Sequence, residues 1–320
     1  VKKRTDYAPG YVGGLRMEID VSAATTVLDY LDDEVPLQAV WRHPATQITR
    51  THAALLDWEY TKADIEDARQ GEDTTFGNFA DIASNRERIL ELIETIQANE
   101  PAWTETISTE LQRVTPDADL SDLTIYLSIG YEFGIGLAEG AVINLNTPLF
   151  FDGPRQLLYT LIHESSHVLY ADHHGLTEQV GPDALTTPAG RRHAFQVLFQ
   201  TEAFATYTPL NQRRADGKLG THDHPVCTDY AVITDGEALT DLVGEYDDFR
   251  SALHRGTEMA PNEVLVKTFQ SRLPYRVGGA LLDRLEHQEG IEAVKAAFST
   301  PPSEFLSTYD WLLEPYRQGG

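Results

Sequence analysis

The sequence predicts an α+β fold, predominantly helical, with a small β-sheet beside one helix that carries a metal-site motif. Three observations point there. Apolar residues recur at helical spacing over most of the chain. The period becomes strand-like once, between Leu123 and Leu145. A long apolar helical run then holds His163-Glu164-Ser165-Ser166-His167. With 320 residues, 41% of them hydrophobic, the chain can bury a substantial core, which excludes a disordered protein. No linker-like stretch and no internal repeat divides it, so one compact body is expected. Three regions are read within it: an N-terminal, mainly helical region over 1–118, a central region over 119–215 with the strands and the site-bearing helices, and a C-terminal helical region over 216–320 closing a cleft.

Each element follows from its own pattern. Arg16 to Asp20 reads as a short strand, and Val21, Ala24, Val27, Leu28 and Leu31 form one helical stripe. Ile82, Ile89, Leu90, Ile93 and Ile96 mark a second helix. Pro101 is expected to open a third, with Trp103, Ile107, Leu111 and Val114 at helical spacing. Leu123 to Ile129 and Ala141 to Leu145 read as strands, joined by a flexible stretch holding Gly130, Gly134, Gly136 and Gly140. Asp152, Gly153 and Pro154 form a helix-start signal for the motif run from Arg155 to His174, and Gly175 stands at its C-cap position. Arg191 to Leu210, Leu239 to Leu253 and Tyr275 to Tyr316 are further helical segments, the last broken at Gly290 and at Pro301-Pro302.

Charge narrows the function classes. Fifty acidic residues stand against 25 basic ones, a formal net charge of -25, which repels a phosphate backbone and an anionic membrane surface alike. Nucleic acid is therefore not an expected partner. No apolar run reaches the roughly 18 residues of a membrane span. The acid excess is spread along the chain, and Arg outnumbers Lys, a pattern that resembles proteins of salt-loving organisms. The single Cys227 cannot form an intramolecular disulfide, and Lys2, Lys3 and Arg4 are followed by no apolar core of a secretory signal. A cytoplasmic location is the expectation.

The chemistry lies in the H-E-x-x-H motif. Residues four apart on a helix differ by about 40° around its axis, so His163 and His167 can share one metal ion, with Glu164 beside them. Leu157, Leu158, Leu161, Ile162, Val168 and Leu169 flank the motif, so the helix is largely buried, and buried imidazoles and carboxylates need partners. A tetrahedral catalytic metal needs a third protein ligand. Glu202 stands among Phe195, Val197, Leu198, Phe199, Ala203 and Phe204, where an ionised carboxylate requires a cation. His173 competes, six residues after His167. In the longer histidine motif a glycine turns the chain to bring that third histidine back. Tyr170 occupies its position here and resists a positive φ, so the backbone favours Glu202.

At these residues the chain resembles gluzincin-type zinc metallopeptidases, which combine H-E-x-x-H with a downstream glutamate on a second helix. It looks closest to a little-characterised group of zinc-dependent peptidases in which an E-x-x-A-x-Y-like segment follows, matched here by Glu202, Ala205 and Tyr207. The resemblance covers about Leu123 to Tyr207 and implies a zincin-like sheet beside the active-site helix. It implies Zn2+ held by His163, His167 and Glu202, with Glu164 as general base in hydrolysis of a peptide or protein substrate. Thermolysin-like members place an Asp four residues after the ligand glutamate, to orient the first histidine; this chain has Thr206. Tyr207, Tyr275 and Arg276 are candidate donors to a tetrahedral oxyanion.

Other polar groups are read more plainly. His222-Asp223-His224 with Cys227 has the ingredients of a second metal site. His174 and Tyr170 share the motif's helix face, but His174 starts about 10 Å beyond His167 along the axis and is read as a C-terminal cap. Two other classes fit the same motif: a metal-dependent binding or regulatory protein without turnover, and a zinc hydrolase of non-peptide amides. The charge excess gives a first prediction. Raising KCl from about 0.1 M to 1 M shortens the Debye length from about 10 Å to 3 Å, so the thermal midpoint should rise across that range by calorimetry. A midpoint that falls or stays level would show that self-repulsion does not limit this fold.

Overall fold

The computed structural model describes residues 17–70, 81–175, 182–220, 224–260 and 262–317. The basic N-terminus, Arg16 and the His222-Asp223 pair lie outside these residues. Strand β1 (Glu18–Asp20) leads into helices α1 (Ser22–Leu31), α2 (Leu37–Arg42), α3 (Pro44–Leu55) and α4 (Lys62–Arg69). Next comes α5, a single helix of 33 residues from Ile82 to Val114. Pro101 therefore interrupts no helix and starts none, contrary to the sequence expectation. Proline removes one backbone hydrogen bond and crowds the carbonyl four residues earlier. Residues 97–102 are all exposed, so water can satisfy the freed group, while Ile89, Ile93, Ile96, Trp103, Ile107 and Leu111 keep one buried stripe on both sides.

The sheet has the order β1-β2-β4-β3, with β2 at Thr124–Ser128, β3 at Gly134–Leu137 and β4 at Gly140–Asn144. β1 pairs parallel to β2, β2 parallel to β4, and β3 antiparallel to β4. The glycine-rich stretch expected as a flexible connection is thus partly the edge strand β3. All five residues of β4 are buried, as suits a strand covered on both faces.

The motif helix follows α6 (Pro148–Asp152) and is α7, Pro154–His174. Pro154 opens it and Gly175 closes it in the left-handed conformation, φ 64°, its N–H donating to the Ala171 carbonyl. Fourteen of its 21 residues are buried, because it packs against β3, β4, α5 and α8 (Pro188–Tyr207) at once. A helix enclosed on most sides reads apolar nearly all round, which is why its polar residues stand out. The Thr187 side chain accepts from the Gly190 N–H to start α8. Beyond it lie α9 (Leu210–Ala215), α10 (Pro225–Ile233), α11 (Gly236–Arg255) and α12 (Glu263–Leu265). Two π-helical turns, Val266–Gln270 and Pro274–Gly278, precede α13 (Gly279–Glu289), α14 (Ile291–Phe298), α15 (Pro302–Tyr309) and α16 (Glu314–Arg317). One buried apolar cluster extends from Met17 to Leu313, with members in all three regions read from the sequence. Among the described residues no helix is long and apolar enough to cross a membrane.

Glycine decides how closely β3 approaches α7. A Cβ on Gly134 would lie 2.8 Å from Glu164 Cδ, and one on Gly136 would lie 2.6 Å from His167 Cβ and against the Glu164 carbonyl. Gly136→Ala should cost about 1–3 kcal/mol, the usual penalty of overpacking. Gly244→Ala, exposed on α11 with nothing near its Cβ, should instead stabilise by about 0.5–1 kcal/mol. Denaturant titration of the two variants checks both signs, and equal midpoints would remove the steric role of Gly136.

Candidate metal centre

α7 places His163 and His167 one turn apart on its cleft-facing side, with the two Nε2 atoms 3.2 Å from each other. α8 lies alongside and contributes Glu202, whose Oε2 is 3.7 Å from His163 Nε2 and 3.4 Å from His167 Nε2. A tetrahedral ion with bonds of 2.0–2.1 Å needs ligand-to-ligand edges of about 3.3 Å. The three donors meet that requirement without rearrangement. The alternative to a cation is unfavourable: two ring nitrogens face each other, and Glu202 Oε2 is buried with no hydrogen-bond partner. His167 Nδ1 lies 3.3 Å from Thr201 Oγ1, a partner that can accept a hydrogen bond from Nδ1–H and leave the Nε2 lone pair free. The three residues form a buried group able to hold a metal ion.

Glu164 is 5% exposed. Burial pushes its carboxyl up to about 7, with His167 opposing and Glu202 adding to the effect. Burial also drives His163 down to about 3. At His167 burial lowers the pKa, but Glu202 outweighs it and holds the ring up at about 8. Burial would raise Glu202; His167, then His163 and Arg272, keep it below the ordinary carboxylate range.

The centre opens on a cleft of about 950 Å³ lined by all four residues and by β3 from Gly134 to Leu137. Trp58 and Phe269, both strongly exposed, stand in its lining. Tyr275, on the second π turn, stacks parallel to the His163 ring at 6.3 Å, and its hydroxyl reaches Glu202. Arg272 lies over the Tyr275 ring at 3.7 Å. Its φ is +56°, an uncommon conformation for a side-chain-bearing residue, found here between two π turns, which themselves tend to occur at functional sites. Gly278 lets this segment press on α8, since a Cβ there would lie 2.5 Å from Ala203 Cβ.

The structure thus brings His163, Glu164, His167, Glu202 and Tyr275 together. Tyr207 is not among them: its hydroxyl donates to Glu286 and accepts from Arg113 at 3.2 Å, inside the helical packing. Arg276 binds Asp229 Oδ1 at 2.8 Å and does not line the cleft, whereas Arg272 does. His173 is exposed at the end of α7 against Phe298, because the helix runs unbroken through Tyr170. His174 docks on the Phe298 carbonyl at 2.8 Å. Thr206 does not replace the orienting Asp; its buried hydroxyl has no partner. His224 caps α10 by accepting from the Val226 N–H, and Cys227 is buried. Among the described residues, His163, His167 and Glu202 are the group with metal-ligand spacing.

Sequence reasoning passed over Arg272, Arg213, Asp229 and His52, all of which line the cleft. His52 lies 2.9 Å from the Tyr131 hydroxyl, and burial lowers it to about 4, with His167 adding. Only the alternate glycines 134 and 136 carried a local signal, of close backbone approach. Comparison with protein families, curated proteins and solved structures finds no match for this chain.

The geometry separates the two third-ligand readings. Glu202→Ala should lower metal affinity by at least about 100-fold, because two imidazoles alone make a poor site, while His173→Ala should keep it. Zinc titration of both variants by calorimetry decides the matter, and the reverse order of affinities would return the third position to His173.

Proposed function

We propose that the chain is a zinc-dependent hydrolase of peptide bonds. The observation that carries this reading is the convergence of the His163, His167 and Glu202 donor atoms at tetrahedral spacing in an open cleft, with Glu164 on the same wall. Two imidazoles and one carboxylate are a catalytic donor set for zinc, which leaves one position open. When bound there, zinc supplies a Lewis acid and lowers the pKa of a coordinated water towards ~7.

The remaining work belongs to this chain's own groups. Glu164 takes a proton from the attacking water on a carboxylate oxygen and passes it to the nitrogen of the departing amine. Gly134 lies directly against that carboxylate, so β3 limits its rotation. The Tyr275 hydroxyl donates to the charge developing on the carbonyl oxygen, and its ring is held by contacts with His163 and Arg272. β3 is the sheet edge and lines the cleft along its whole length, which suits an extended peptide binding by strand addition. The acidic chain, at -25, supports no reading that involves nucleic acid.

Because Glu164 moves a proton and ligates nothing, Glu164→Gln should retain zinc, by elemental analysis, while kcat against a peptide library falls at least ~100-fold. Dialysis against a chelator should abolish cleavage in the unaltered protein, and added zinc should restore it. Undiminished turnover in Glu164→Gln would remove this residue from the reaction, and chelator-resistant cleavage would remove the metal.

A further inference from the structure

The deep end of the same cleft holds an unexplained cation. Arg213, on α9, is 1% exposed, and its Nε and Nη1 have no hydrogen-bond partner. The guanidinium is clamped between the rings of Tyr159 at 4.2 Å and Tyr230 at 4.0 Å, and it also reaches the neutral Tyr230 hydroxyl and Cys227 thiol. Among the described residues no carboxylate pairs with it. Asp216, three residues on, is engaged by Arg155 and the Tyr159 hydroxyl at 2.6 Å each, and Asp229 is engaged by Arg272 and Arg276. A buried guanidinium with open donors is costly unless an anion completes it. The neighbouring ion pairs leave it unmatched: Asp229 already serves two other arginines, Arg272 and Arg276.

Its position ties it to the reaction. Tyr159, under the guanidinium, precedes His163 by four residues on α7, a displacement of about 6 Å along the helix. One residue of chain spans about 3.8 Å, and a hydrogen bond adds about 2.9 Å. Building on the hydrolase reading above, we propose that Arg213 anchors a substrate carboxylate on the residue just beyond the cleaved bond, and so selects which bond is cut. The rigid fork of Arg suits a carboxylate and can bind both oxygens. Two sources present that group there: the free C-terminus of a peptide, or an acidic side chain within one.

Two substrate pairs, at one fixed salt concentration, separate the sources. Zinc-loaded protein is given N-acetylated trialanine as the acid and as the amide, then amidated peptides differing only by Glu or Gln after the cleaved bond. A kcat/KM ratio of about 10- to 100-fold, as for a charge-assisted hydrogen bond, in the first pair assigns the anchor to the chain terminus. The same ratio in the second assigns it to a side chain. Ratios below about 3-fold in both overturn the proposal. Folded Arg213→Gln must erase whichever preference is found, and a preference intact in that variant equally overturns it; should Arg213→Gln not fold, the pairs tested on the unaltered protein still decide. Calorimetry with zinc-loaded Glu164→Gln and the same ligands reads binding without turnover. Selective binding of the acid partner there supports the anchor even if no peptide is cleaved, an outcome that would sink only the hydrolase reading, and equal binding of acid and neutral partners overturns the anchor itself.

Discussion

Three donor atoms held within a few ångströms of one another, in a place where water is scarce, constrain the rest of this fold. A buried carboxylate oxygen without a hydrogen bond and two ring nitrogens facing each other are each unfavourable in isolation. They persist because α7 and α8 are locked side by side by apolar contacts and by polar ties such as Ser166 to Thr208 at 3.2 Å. The arrangement becomes favourable when a cation occupies the centre. Packing thus sets the geometry, and a metal ion held there would compensate the electrostatic cost that packing imposes.

Close approach of backbones makes that packing possible. Gly134 and Gly136 bring the edge strand onto the motif helix, and Gly278 brings the π-turn segment onto α8. The two contacts flank the centre, so β3 forms one wall of the cleft and Tyr275 with Arg272 forms another. Under the proposed reading, the edge strand would receive an extended chain and the π-turn segment would supply a hydroxyl near Glu202.

Charge is distributed with the same division of labour. The acid excess runs along the whole sequence, where salt can screen it. Within the cleft lining, by contrast, Arg213 rests on Tyr159 and Tyr230 without a carboxylate partner among the described residues, and Arg272 pairs with Asp229. Buried charges are screened little, so under the proposed reading the Arg213 guanidinium would act on a bound carboxylate at any ionic strength.

The local code was sufficient for what lies along one helix or one stripe. The apolar flanks of His163-Glu164-Ser165-Ser166-His167 marked a buried helix, Gly175 marked its end, and the company of Glu202 marked a carboxylate in need of a cation. These properties depend on spacing within a few residues, which sequence displays directly. Pro101 inside α5 and the strand at Gly134–Leu137 were misread because the same residues serve as breakers in one setting and as accommodating neighbours in another. The setting is tertiary: solvent beside Pro101, a helix beside the glycines. Arg213, Arg272, Asp229 and His52 come from four separate elements and meet only in the folded chain. Likewise, nothing local distinguishes Tyr275 from Tyr207; the packing of the π turns against α8 turns one towards the centre and leaves the other bound to Glu286 and Arg113. Residue spacing determined which side chains can share a metal, and long-range packing decided what stands around it.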